Sequence, residues 1–290
     1  MKGLALSVDG KGRYSFLDPY LGAVHAVAEA ARNVAVTGAT PLAITNCLNF
    51  GDPNRPAVMW ELVESIRGIA DACTALGTPV TGGNVSLYNE SEDSAIWPTP
   101  VIGMLGTIQD YRLRVPTGFT RGRLAIYLLG ETFAELGGTE FAEVVLGAIS
   151  GKPPALDLVR EAALISLMCE AASEDLFVSG HDCGDGGLAV ALAESAIEGG
   201  HGFAVSVPGD LPPHVALFSE SASRAVVSVA PEREERLHEL AGARRVPIAR
   251  LGETGGPRVV FDKLFETTVE ELRDSYESAI PELMGEPGGA

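Results

Sequence analysis

Between residues 111 and 123 the hydrophobic pattern of this sequence lapses into Arg, Pro, Thr and Gly, and on both sides of that gap short apolar runs alternate with stripes at helical spacing. A chain punctuated in this way divides into two units that each mix strands with helices. At 290 residues each unit is long enough to bury its own core. The first unit is placed at residues 1–115, the second at 122–267, and a closing helix and tail at 268–290.

In the first unit, apolar runs at 4–8 and 13–16 flank Asp9-Gly10-Lys11-Gly12 and predict a hairpin-like pair. Val24, Val27, Ala28, Ala31 and Val34 then predict a helix after Asp18-Pro19, where the Asp can cap and the Pro can occupy the first turn; Gly38 ends it. A strand over 42–50 runs into the turn Gly51-Asp52-Pro53. A second helix carries Met59, Leu62, Val63, Ile66 and Ala70 on one face and stops at Gly77, and strands over 78–88 and 100–108 follow.

The second unit opens with a buried-strand run at 124–129. Helices are predicted over 140–148 and 158–172, and a strand at 177–179 leads into a Gly-rich turn before the stripe Leu188, Leu192, Ala193, Ala196 and Ile197. Strands near 203–207, 225–229 and 247–251, a helix over 232–241 and a closing helix over 268–284 complete it. No repeat of 20 to 50 residues marks a solenoid.

Composition narrows the function classes. With 46% hydrophobic and 21% charged residues, neither disorder nor a membrane span is indicated. A net charge of -18, from 21 basic against 39 acidic residues, argues against a nucleic-acid surface, which needs clustered Lys and Arg. Cys47, Cys73, Cys169 and Cys183 form no C-x-x-C pair and read as reduced thiols without a zinc site. No apolar segment preceded by basic residues marks a secretory signal, so the cytoplasm is the expected compartment.

The stretch Thr81-Gly82-Gly83-Asn84-Val85-Ser86-Leu87-Tyr88-Asn89-Glu90 concentrates groups suited to phosphate and a divalent metal. Glycines let the backbone approach a ligand, successive amides can cradle an anion, and Asn84 can offer an oxygen to a hard cation. A bent strand with a local turn at Asn84 would use the same residues. A second group, 179–188, sets His181, Asp182 and Asp185 in a Gly-rich strand-to-helix turn, where carboxylates can hold magnesium or simply cap the helix. Residues 217–224 gather three serines, Glu220 and Arg224, a set that can grip a phosphate monoester or form a capped turn with a surface Arg. His25 and His181 read as packing and hydrogen-bonding residues. No G-x-S-x-G elbow and no G-x-x-x-x-G-K-[ST] loop occur, so a nucleophilic triad and a P-loop are not indicated.

Read together, Leu17-Asp18-Pro19-Tyr20, Ala28-Glu29-Ala30-Ala31-Arg32-Asn33, Thr45-Asn46-Cys47-Leu48-Asn49-Phe50-Gly51, Gly82 to Asn89, Gly180-His181-Asp182 with Asp185-Gly186-Gly187-Leu188, and 218–224 resemble the C-terminal half of the phosphoribosylformylglycinamidine synthase large subunit, in the family's order over nearly the whole chain. The resemblance implies an α/β plus α+β fold: a two-domain unit of the aminoimidazole ribonucleotide synthetase type, with an N-terminal mixed-sheet domain that pairs into a barrel-like sheet and a C-terminal α+β domain. It implies an ATP- and Mg2+-dependent ligase of purine biosynthesis. In that reaction the amide oxygen of formylglycinamide ribonucleotide is phosphorylated, and glutamine-derived ammonia then displaces the phosphate.

Carried over residue by residue, the resemblance implies that Asn46 and Gly83 meet ATP, Asn84 binds the metal and Ser86 contacts substrate. Asp182, Glu220 and Ser221 would face an auxiliary nucleotide site. Asn46 stands where the family often has an Asp, which removes a charge. The family's His-Asn-His-Pro motif has no counterpart in residues 10–19, which contain no His, so no catalytic residue is assigned. The implied partners are the N-terminal half of the large subunit, a glutaminase subunit and a small bridging subunit. Two other readings stand beside this one: a non-catalytic ADP-binding structural module, and a self-sufficient synthetase or kinase of the same superfamily acting as a homodimer.

Overall fold

The structure, a computed structural model, describes residues 1–91, 94–120 and 122–285. The tail expected at 286–290 lies outside the described residues, as does Arg121 of the expected linker. The first unit runs β1 (Gly3–Asp9), α1 (Gly12–Leu17), α2 (Pro19–Val36), β2 (Thr40–Asn49), α3 (Pro56–Leu76), β3 (Val80–Ser86) and β4 (Thr99–Ile108). Its sheet has the order β1-β4-β2-β3, with β1 and β2 antiparallel to β4 and β2 parallel to β3. Helix α3 supplies the crossover that parallel neighbours require.

Local chemistry sets the helix ends. The Asp18 side chain accepts the Leu21 amide with Pro19 in the first turn of α2, and α3 stops at Gly77 in the left-handed conformation. Two expectations are corrected. The partner of β1 is β4, and the segment expected to complete a hairpin is the helix α1, whose Tyr14 and Ser15 are buried. Four residues, of which only Tyr14 and Phe16 are apolar, are too few to separate a period of 2 from one of 3.6. On α3 the buried positions are Val58, Ser65, Gly68, Ile69, Ala72 and Cys73, whereas Met59, Val63, Ile66 and Ala70 are exposed. The helix carries two adjacent apolar stripes, and α2 takes the one that contains Gly68.

The second unit comprises β5 (Ala125–Leu129), α4 (Glu140–Leu146), α5 (Leu158–Ser173), β6 (Phe177–Asp182), α6 (Gly187–Gly199), β7 (Phe203–Val205), α7 (Pro213–Phe218), β8 (Ala225–Val229), α8 (Glu234–Arg244), β9 (Ile248–Thr254), β10 (Arg258–Phe261), β11 (Phe265–Thr268) and α9 (Val269–Leu283). Its seven strands are ordered β11-β10-β7-β9-β5-β8-β6. Strand β5 is buried throughout because both sheet faces are covered. Ala125, Tyr127 and Leu129 pack with Leu164 and Leu167 of α5 and Leu237 of α8, while Ile126 and Leu128 pack with Leu188 and Leu192 of α6 and Val269 of α9. Helices α1 and α7 and the β10–β11 hairpin have no counterpart in the sequence reading.

Helix α2 lies between the two units. Of its 18 residues, 15 are buried. Ala23, Val27, Ala30 and Val34 pack into the core of the first unit, and Ala35 and Val36 into that of the second. Its many alanines allow neighbours on every side. The first sheet, by contrast, is covered on one face only. Ile44, Leu48, Ile102, Met104 and Ile108 are buried beneath the helices, but Leu4, Leu6 and Val8 on the other face are 73%, 78% and 76% exposed.

Helices α2 and α3 meet closely at Gly68, where a Cβ would stand 2.3 Å from the Tyr20 carbonyl oxygen. Gly68→Ala is therefore expected to destabilise the fold by about 1–3 kcal/mol, read as a lowered Tm. An unchanged Tm would contradict this account of the helix contact.

Candidate functional site

Strand pairing brings the Gly-Gly-Asn stretch beside β2. The register aligns Asn46 with Gly83, Cys47 with Asn84 and Asn49 with Ser86. Because side chains alternate, Asn84 and Ser86 share the uncovered face with Cys47, whereas Asn46 lies on the helix-covered side with Ile44 and Leu48. Gly83 must be glycine: a Cβ there would stand 2.2 Å from Asn46 Oδ1. The four expected residues thus form one neighbourhood divided between two faces of the sheet.

Residues 81–85 are exposed and β3 is an edge strand, so its backbone and the Asn84 side chain are open to a ligand. Val8, Thr45, Cys47, Asn84 and Val101 help line a shallow depression of about 410 Å³. Ser86 is half-buried and lies in a turn closed by Asn89, which donates to the Ser86 carbonyl oxygen (2.9 Å) and the Phe50 carbonyl oxygen (3.1 Å). Its hydroxyl is 3.2 Å from Asn89 Oδ1. A magnesium ion keeps most of its waters and takes only one or two protein ligands when phosphates supply the rest, so a single exposed amide oxygen at Asn84 suits it. Among the described residues no group of three or more His, Cys, Asp or Glu could hold a metal. A larger cavity of about 460 Å³, lined in part by Phe133, Arg160 and Val246, lies in the second unit and includes none of these residues.

The second expected group is built differently. Asp182 ends β6, and Gly186 and Gly187 take positive φ at the start of α6, where a Cβ on Gly187 would stand 2.3 Å from the Ser219 carbonyl oxygen. Glu220 Oε1 accepts from the amides of Gly186 (2.9 Å) and Glu140 (2.8 Å), and Oε2 accepts from the Tyr14 hydroxyl. Ser221 Oγ donates to Glu135 (2.7 Å) and accepts from the Phe133 amide (2.9 Å). Arg224, read as a phosphate grip or a surface residue, is fully buried; its guanidinium donates to the Ser219 and Ser221 carbonyl oxygens and to Thr132. It staples this turn from inside.

His25 donates from Nε2 to the Pro154 carbonyl oxygen at 2.7 Å, and burial pushes its pKa down to about 3. Burial also pushes the Cys183 thiol up to about 11, which leaves no nucleophile beside His181. Sequence reasoning missed Lys11, Glu29, Arg32 and Glu161. Arg32 donates to Glu161 at 2.7 Å with both side chains sealed from solvent, and Lys11 is 2.9 Å from Glu29. The available signal was a Glu and an Arg inside an Ala-rich, largely apolar helix.

Two family models match in the same order along the chain: "AIR synthase related protein, N-terminal domain" over residues 1–108 and "AIR synthase related protein, C-terminal domain" over residues 124–262. The chain belongs to the AIR synthase related family. It is 54% identical over 288 residues to the phosphoribosylformylglycinamidine synthase subunit PurL of Thermobifida fusca, and 49% identical over 287 residues to that of Moorella thermoacetica. Each match covers 98% of this chain but only 37% and 39% of the relative, so the chain spans less than half the length of these curated relatives. Among solved structures, Thermotoga maritima PurL complexed with FGAR superposes with a TM-score of 0.81 at 25% identity, covering 94% of this chain and 46% of that one. The ATP complex of the same protein gives a TM-score of 0.77 at 24% identity, covering 94% and 44%, a likeness of fold. The resemblance read from the separated motifs holds over the chain.

His181 bridges Asp182 and Glu194. Burial opposes its charge, but the two carboxylates outweigh burial and lift its pKa to about 10. A folded pKa above the ordinary 6.5 means that this contribution to stability is complete below pH 6.5 and is lost as the pH rises toward 10. The stability difference between wild type and His181→Gln, measured by urea denaturation, should shrink across that window. A constant difference would show that His181 does not carry the charge.

Proposed function

We propose that this chain acts as the C-terminal half of the ligase that converts formylglycinamide ribonucleotide to formylglycinamidine ribonucleotide with ATP and glutamine-derived ammonia. The observation that carries the reading is the bare face of the first sheet, with Leu4, Leu6 and Val8 exposed beside the edge strand that holds Asn84. An apolar surface of this kind is buried when a second sheet covers it. The N-terminal half would supply that sheet, and the two would pair into a barrel-like arrangement with the β3 strand end in the shared cleft. We assign the domains to 1–115 and 122–267, with 268–290 a closing segment whose helix α9 packs on the second through Val269 and Leu272.

At that cleft, Gly83 offers its backbone to ATP and Asn46 its amide from the helix-covered side of the strand end, while Asn84 would give one oxygen to Mg2+ and Ser86 contacts substrate on the bare face. Bound Mg2+ supplies charge neutralisation on the phosphates. The contribution of this chain is positioning: Asn46 packed on Gly83 fixes the backbone of β3, and Asn89 fixes Ser86. Proton transfer and most metal carboxylates fall to the other half, with ammonia delivered through a glutaminase subunit and a small bridging subunit. The complex would work in the cytoplasm.

Turnover of formylglycinamide ribonucleotide with ATP and ammonia should be absent from the chain alone and appear when an N-terminal half is added. Turnover by the chain alone would favour a self-sufficient homodimer, and stabilisation by ADP without turnover in either condition would favour a structural module. In the reconstituted assembly, Asn84→Ala should weaken magnesium–nucleotide binding by about tenfold or more, roughly 1.4 kcal/mol. Unchanged affinity would remove Asn84 from the site.

A further inference from the structure

The junction between the two units is charged and buried except at Asp185, whose side chain is 52% exposed beside a cavity of about 260 Å³ that Lys11 also lines. Lys11, in the turn after β1, is 7% exposed and places Nζ 2.6 Å from Asp185 Oδ1 and 2.9 Å from Glu29 Oε2. Arg32 approaches Asp182 from the same helix as Glu29, with Nε 3.5 Å from Oδ2, while its other branch holds Glu161. Arg32 Nε and Asp182 Oδ2 are buried and make no hydrogen bond. Charge compensation, more than hydrogen bonding, therefore joins these two groups. Lys11, Glu29 and Arg32 come from the first unit, and Asp182, Asp185 and Glu161 from the second.

The sequence left this turn open to magnesium or to a simple helix cap, and the resemblance implied an auxiliary nucleotide site here. Glycine-rich backbone instead presses on the acids: a Cβ on Gly184 would stand 2.7 Å from Glu29 Oε1 and 3.5 Å from Asp182 Oδ2. A hydrated magnesium ion needs its waters as well as its ligands. The amide of Gly186 at the start of α6 is already taken by Glu220, as are the amide of Glu140 and the Tyr14 hydroxyl.

We propose that the Lys11 ammonium is a tethered counter-ion that takes the place of a divalent cation between Glu29 and Asp185, so that the two units are joined here by the chain's own charges without a metal or a nucleotide. Burial alone would push Lys11 toward neutrality, but Glu29 and Asp185 outweigh it and hold the ammonium charged. Removing one partner of such a group leaves a buried charge uncompensated, which costs far more than the pair contributes. Compensation of Glu29 and Asp185 then depends on one side chain.

Thermal denaturation of the chain in MgCl2, in EDTA and in MgCl2 with ADP tests this. Wild type should keep its Tm within about 1 °C across all three, because a ligand that binds the folded state raises it. Lys11→Met should lower Tm in EDTA, and MgCl2, but not NaCl of equal ionic strength, should raise it by about 3 °C or more. Adding Glu29→Gln to Lys11→Met should remove the magnesium response and recover stability in EDTA. If Lys11→Met does not fold in EDTA, the double variant and wild type still decide. A Tm raised by MgCl2, with or without ADP, in both wild type and Asn84→Ala would overturn the proposal, whereas a rise abolished by Asn84→Ala belongs to the sheet edge; a Lys11→Met chain as stable as wild type and indifferent to magnesium would overturn it too.

Discussion

Helix α2 has almost no solvent face, and that constraint organises the molecule. A helix can be buried on all sides if its side chains are small, which accounts for the alanines, but Glu29 and Arg32 go inside with it. Buried charges persist only when paired. Lys11 therefore has to come from the turn after β1, and Glu161 and Asp182 from the second unit, before the helix can sit where it does. Packing of the two units and compensation of α2's charges are one event.

The first sheet follows from the same placement. With α2 and α3 both on one side of it, nothing in the described residues covers the other, and the alternation along β1 leaves Leu4, Leu6 and Val8 in water. The second unit has no such deficit, because α5 and α8 cover one face of its sheet and α6 and α9 the other. The asymmetry between a finished domain and a half-covered one is the physical reason to look for function at the edge of the first sheet.

Much of this was legible in the sequence. Caps marked helix ends at Asp18-Pro19 and Gly77, and strand-length apolar runs marked β2, β4, β5 and β8. Six residues of α1 were too few to reveal a period, and α3 carried two apolar stripes, of which only packing against Gly68 could choose one. The Gly-Gly-Asn stretch announced a special backbone, yet the division of Asn46 and Asn84 between two sheet faces depends on register with β2, a long-range property. Arg224 illustrates the limit from the other side. A lone Arg beside serines reads as a surface group, and only the fold supplies the carbonyls that let it be buried.

Two Gly-rich segments followed by or set near carboxylates or amides had looked alike, and burial separates them. A site for a charged ligand must hold its polar groups in water or leave them unpaired until the ligand arrives. At β3 the donors and the Asn84 oxygen meet that condition, since they lie exposed on an edge strand. At the start of α6 Glu220 already holds the amides, Asp182 Oδ2 has only the charge of Arg32 beside it, and a nucleotide would have to displace Glu220 from two amides and a hydroxyl before gaining any of them. In a chain of net charge -18 a polyphosphate ligand would need a cation to approach, and on the proposed reading hydrated magnesium meets the open sheet edge more readily than a junction where Lys11 already stands between Glu29 and Asp185.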